Sequence, residues 1–170
     1  MTRTISLEVL GTPKPKGSPK VVTRGRGGKP LPFPRVLHDS PESASWAAEV
    51  GLAARRAMHE QPMFTGHALM VRVVFRLVRP AGHYGKRGLL PSAPRFPATK
   101  PDLDKLIRNT MDPLEGVVFD GDSRIAAYDA RKVYCEAGEP AGADITVELL
   151  EAPAEQHTAS QPSLLALGGA

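Results

Sequence analysis

Apolar and polar residues alternate from Thr4 to Leu10, the period of a strand buried on one face. From Trp46 onward the period changes. Trp46, Ala47, Val50, Leu52, Ala53 and Ala54 recur at helical spacing, and the helix is predicted to reach about His59. Its start is marked by Asp39-Ser40-Pro41-Glu42, which offers a cap, a proline in the first turn and an early acid. Trp46 lies on the apolar face and reads as core rather than as a base-stacking group. Ala68 to Val78 is the strongest strand, rich in β-branched residues. Its Arg72 and Arg76 fall opposite Val71, Val73 and Phe75, so they either line a basic groove or form a solvated face. A second helix is predicted from Lys105 to about Leu114, turning Leu106, Ile107, Met111 and Leu114 inward and bent or ended by Pro113. Ser123–Tyr134 and Ala143–Leu150 read as a strand pair joined by a Gly/Pro loop.

Two segments break this pattern. Residues 18–34 and 80–99 are rich in Pro, Gly, Lys and Arg and predict basic loops, the first of them mobile. Residues 151–170 are small and polar until a short apolar run, and are expected to be a disordered tail. The whole predicts a single α/β (α+β) domain over residues 1–150, a mixed sheet of about four or five strands with two main helices. Neither a signal-peptide pattern nor an apolar run of membrane-spanning length is visible, and the single Cys135 has no disulfide partner. A reduced, cytoplasmic setting is the expectation, with no membrane contact.

Charge changes the picture through its placement. The net charge is +4 with an isoelectric point near 9.4, a weak signal alone. Before Leu37, however, the chain carries Arg3, Lys14, Lys16 and Lys20, then Arg24, Arg26, Lys29 and Arg35, against Glu8 alone. An anionic partner is therefore expected at the N-terminal arm, with Lys14, Lys16, Lys20, Arg24 and Arg26 as phosphate contacts. Tyr84–Arg87 in the second loop is a further candidate contact.

The chemistry concentrates between Lys100 and Tyr134, in KPDLDKLIRNTMDPLEGVVFDGDSRIAAYDARKVY. Asp102 and Asp104 form one acidic pair, Asp120 and Asp122 another, with Lys100, Lys105, Arg108, Arg131 and Lys132 among them. Crowded carboxylates repel unless a cation joins them, and a hard divalent ion held by oxygen ligands neutralises phosphate and activates water. Pro101 favours an extended entry, in which Asp102 and Asp104 point to one side; on a helix they would lie about 200° apart. The expectation is that both precede the helix, Asp104 near its cap, and that Arg108, one turn on, faces the same phosphate. Calcium-loop, phosphate-binding-loop and serine-esterase patterns are absent, and the histidines lack zinc-ligand spacing.

KPDLDKLIRNTMDPLEGVVFDGDSRI resembles the signature of the RusA-type Holliday junction resolvases, and Ile5 to Lys20, ending GTPKPKGSPK, resembles that family's opening strand and turn. In the resemblance Asp102 and Asp104 match the first acidic pair, Arg108 the basic position, Asp112 and Leu114 the segment at the helix end, and Asp122 the catalytic member of the later pair. Lys132 matches a basic residue in the last strand but one. Lys105 stands where the family usually has Asn, Arg108 where it has Lys, and Gly121 where it has the first Asp of the later pair, with Asp120 one residue earlier. The resemblance implies an Mg²⁺-dependent endodeoxyribonuclease, with Mn²⁺ as substitute ion, that resolves four-way DNA junctions by paired nicks in recombination and repair. It also implies a phage-type source and a homodimer. Asp102, Asp104 and Asp122 would hold the metal with Asp120 auxiliary, Arg108 would stabilise the transition state, and Lys16, Lys20, Lys100, Lys105 and Lys132 would contact DNA. The alternatives are a nuclease of other branched or linear DNA and a non-catalytic DNA-binding accessory.

Overall fold

The computed structural model describes residues 3–17, 20–37 and 40–150, and the tail 151–170 lies outside the described residues. Strand β1 (Thr4–Leu10) buries Ile5, Leu7 and Val9 and turns the residues between them outward, as its alternation predicts. Three more strands complete the main sheet: β4 (Leu69–Leu77), β7 (Ile125–Tyr134) and β8 (Gly142–Leu149), in the order β1-β8-β4-β7. β8 runs antiparallel to both β1 and β4, whereas β7 runs parallel to β4. The sheet is mixed. The expected pairing of the last two strands does not form, because β4 lies between them. A parallel neighbour needs a long crossover, and residues 78–124 supply one, carrying helix α2 (Leu103–Met111) across from β4 to β7.

One face of the sheet makes the core. Val71, Val73 and Phe75 of β4 stand beside Val147, Ile145 and Ala143 of β8 in that order, all buried. Burying each large one contributes roughly 1.5–3 kcal/mol. Helix α1 (Pro41–Met58) covers them with Trp46, Val50, Ala54 and Met58, one residue every four and hence one stripe. Ser40 caps it, its hydroxyl accepting from the Ser43 amide at 3.2 Å. Trp46 is core, and its indole Nε1 donates to Thr110 Oγ1 of α2 at 3.0 Å. Helix α2 buries Leu106 and Met111 and stops where Pro113 predicts, giving way to a 3-10 turn at Asp112–Leu114.

The other face holds ion pairs. Arg72 meets Glu148 at 2.8 Å; Arg76 meets Glu8 at 2.7 Å, Glu139 at 3.5 Å and Asp144. Arg76 is buried among these acids, so it neither lines a basic groove nor faces solvent.

The first basic segment is also ordered differently from its expectation as a loop. Strands β2 (Lys20–Arg24) and β3 (Pro30–Leu37) form an antiparallel ribbon. Pro30, Pro32 and Pro34 are tolerated because the ladder is irregular between Val22 and Arg24, where the register shifts, and because a two-stranded ribbon has a free edge. The second basic segment contains the two-residue strands β5 (Tyr84–Gly85) and β6 (Gly88–Leu89) in a tight hairpin. No helix among the described residues is long and apolar enough to cross a membrane.

Candidate active site

The first turn of α2 is built differently from the extended entry that the sequence suggests. Asp102 is the N-cap, with φ −67° and ψ 135°, and Asp104 is already the second helical residue. The two carboxylates therefore do not share a side through strand alternation. They share the start of a helix, where unpaired amides and the helix dipole favour negative groups. The Asp102 side chain makes no capping bond; it pairs with Lys105 Nζ at 3.0 Å. That contact, with Lys100 and Lys132 contributing charge, holds the Asp102 carboxyl below its ordinary value. Asp104 is exposed, as is Arg108 one turn later on the same side. Neither forms an ion pair among the described residues.

Three residues hold α2 and its entry from behind. Lys132 Nζ donates to the carbonyls of Thr99 and Pro101, both at 2.8 Å, and so holds the strand of chain that leads into Asp102. It can do this because Lys132 stands beside Phe75 in the parallel register, on the helix-covered side of β7. The Lys16 amide donates to the Lys105 carbonyl at 2.9 Å, and the Lys16 ammonium pairs with Asp112. Asn109, buried on the inner side of α2, donates to the Lys14 carbonyl at 2.9 Å and to the Ser43 carbonyl at 3.0 Å. It thereby joins the basic arm, α1 and α2 at one point. Sequence reading passed over Asn109, and its only signal there is an amide set within an apolar helical face. Lys16 and Lys132, expected at DNA phosphates, both have protein partners.

The second acidic pair is divided. Asp120 accepts two bonds from Arg124, each 2.9 Å, and this guanidinium keeps its carboxyl below the usual range. Asp122 opens a 3-10 turn (Asp122–Arg124) and is exposed. Burial, and then the Asp122 charge, push the Tyr128 phenol upward. Among the described residues no three Asp, Glu, His or Cys side chains are grouped so that they could hold a metal ion, so Asp102, Asp104 and Asp122 are not brought together. Mg²⁺ asks for less, since it usually takes one or two carboxylates and leaves its other positions to water and substrate phosphate. The solvent-open Asp102 and Asp104 fit that demand by their hard oxygen donors.

Of the remaining candidate cations, Lys14 and Lys100 line a common cleft of about 280 Å³ beside Asp102. Arg24 is exposed on the β2–β3 ribbon, while the side chains of Lys20 and Arg26 lie outside the described residues. The model of the family described as endodeoxyribonuclease RusA matches residues 11–148. No curated protein matches the chain.

Proposed function

The chain belongs to the RusA endodeoxyribonuclease family and so is a hydrolase acting on DNA, and on that premise we propose that it resolves four-way junctions by paired, Mg²⁺-dependent nicks. The observation that carries this reading is the first turn of α2: two carboxylates at a helix start, with Lys100, Lys105 and Lys132 around Asp102 and the exposed Arg108 one turn from Asp104. Asp102 and Asp104 would hold the ion, and Asp122, which stands apart from them in this structure, would serve the site from its own turn. A bound Mg²⁺, or Mn²⁺ in its place, would supply charge neutralisation at the phosphate and activation of water there.

The protein's own groups do the rest. Lys105 keeps Asp102 ionised, so the site needs no proton loss before it accepts a cation. Arg108 presents its guanidinium to the phosphate and offsets the charge that develops during attack. Lys132 keeps the Thr99–Pro101 backbone still, and Asp102 with it. Asp120, held by Arg124, shapes the turn that carries Asp122. Two nicks of opposite strands call for two such sites related by a twofold axis, hence a homodimer.

A synthetic four-way junction with labelled arms tests this directly. Added Mg²⁺ is expected to give symmetric nicks, and EDTA to stop them. Asp104→Asn is expected to slow cutting by about a hundredfold or more, while junction binding persists. Wild-type-like cutting by that variant sinks the assignment of the site. Faster cutting of flaps or linear duplex than of junctions sinks the substrate.

A further inference from the structure

The cleft beside Asp102 lies between the basic arm, the end of β4, the end of β7 and the loop that leads into α2. Pro13, Pro15, Pro97 and Pro101 give rigid apolar walls, Val78 and Tyr134 add to them, and Thr12 and Thr99 bring hydroxyls. Lys14 and Lys100 are the charged residues of the lining, and no acid is among the described lining residues. The lining offers a cation no carboxylate. Prolines and Tyr134 suit a flat, uncharged ring, and two lysines suit the phosphates on either side of it.

Size and stiffness point the same way. At about 280 Å³ the cleft falls just under the roughly 300–1,000 Å³ range of sites for drug-sized ligands, so it has room for one heterocycle and little more. Its walls are held from outside. Asn109 bonds the Lys14 carbonyl, Lys132 bonds the Thr99 and Pro101 carbonyls, and Arg79 stacks on the Tyr134 ring with its guanidinium carbon 4.2 Å from the ring centre. A cleft fixed in this way costs little ordering when it is filled. Its Lys100–Pro101 wall is continuous with Asp102, so whatever fills it sits beside the start of α2 that carries the acidic pair.

We propose that this cleft takes one unstacked nucleobase of the bound DNA, adjacent to the scissile phosphate, and thereby gives cleavage a sequence preference. This deepens the nuclease reading above and rests on it. Unstacking a base costs a few kcal/mol, least where stacking is already interrupted, and apolar side chains on its faces return part of that cost. A branch point therefore supplies the base most readily. The Thr12 and Thr99 hydroxyls offer the hydrogen bonds that distinguish one base edge from another.

Val78 is 65% exposed, so Val78→Trp fills the cleft without disturbing the core; thermal melting of the variant checks this. Four-way junctions carrying 2-aminopurine at single positions around the cut site report the base in question. In the Asp104→Asn background, which holds cutting off, the probe next to the cut phosphate is expected to change its emission on binding while more distant probes do not. Val78→Trp is expected to abolish that local change. In the active protein the same substitution is expected to slow cutting of the preferred sequence about tenfold and to flatten preference across a panel of sequences. Equal emission changes at all positions, or an undiminished preference in Val78→Trp, overturn the proposal while leaving junction cleavage standing. A wild-type protein that neither binds nor cuts junctions overturns the nuclease reading, and this one with it.

Discussion

Lys132 shows how far a residue's type can diverge from its task. A lysine near an acidic site invites assignment to a DNA phosphate, yet two of its three donors go to the Thr99 and Pro101 carbonyls. The two roles separate in salt. A phosphate contact contributes about 0.9 to the slope of log affinity against log salt concentration, and a backbone clasp contributes nothing. Lys132→Met is therefore expected to leave the slope as it is and to lower kcat by about tenfold, because the loosened segment carries Asp102. Lys132→Arg, which can still donate to both carbonyls, is expected to recover much of the rate. A slope that falls by about one in Lys132→Met returns Lys132 to the DNA surface. The two acidic pairs stand out in the sequence because carboxylates crowd there among cations. The clasp does not. Its acceptors are main-chain carbonyls, which every residue has and which no sequence pattern marks, and Lys132 lies some thirty positions from them. Asn109 escaped notice for the same reason, one of its acceptors belonging to the basic arm and the other to α1.

At the scale of elements, periodicity located both helices and all four strands of the main sheet, but it did not say which strands are neighbours. Hydrophobic alternation reports which face of a strand is buried, not what lies along its edge. β7 and β8 are consecutive and joined by a short turn-rich link, and yet β4 separates them. The start of α2 was displaced by two residues because Pro101 restrains only the residue before it, leaving Asp102 free to act as the cap. In α1 the signals agreed, and Ser40 caps it as expected. Ser40→Ala is expected to cost about 1 kcal/mol at neutral pH, read from denaturant melts. The Ser40 hydroxyl also holds the Glu42 carboxyl below its ordinary value, with a backbone bond adding to this. A carboxyl lowered in the folded state stabilises above its unfolded pKa and loses that contribution as pH falls through its folded pKa. The difference between wild type and Ser40→Ala is thus expected to narrow on acidification; a difference that widens in acid contradicts the Ser40–Glu42 contact.

For the whole molecule, charge is divided between structure and partner. On the sheet face away from the helices, Arg72 and Arg76 have acids of their own and present no free cation to DNA. The arm is different. Lys16 is bonded to α2, and β2 begins four residues later, so the ribbon starts no more than about 14 Å of chain from the candidate site. Arg24 at the end of β2 and Lys29 in the connection to β3 are exposed and pair with no acid among the described residues. A ribbon of two strands is also narrow enough to enter a major groove. Its charge pattern was readable from the sequence, but its pairing was concealed by prolines that usually argue against a strand. If the ribbon grips the backbone of the DNA, replacing Arg24 and Lys29 together by Ala should lower affinity for every junction sequence alike and reduce the salt slope by about 1.8, two phosphates at 0.9 each. The sequence preference of cutting should stay as in the wild type, since the ribbon reads charge and not base identity. An unchanged slope in the double variant would move the DNA path off the ribbon, and a changed preference would mean that the ribbon, rather than the proline-walled cleft, reads the bases.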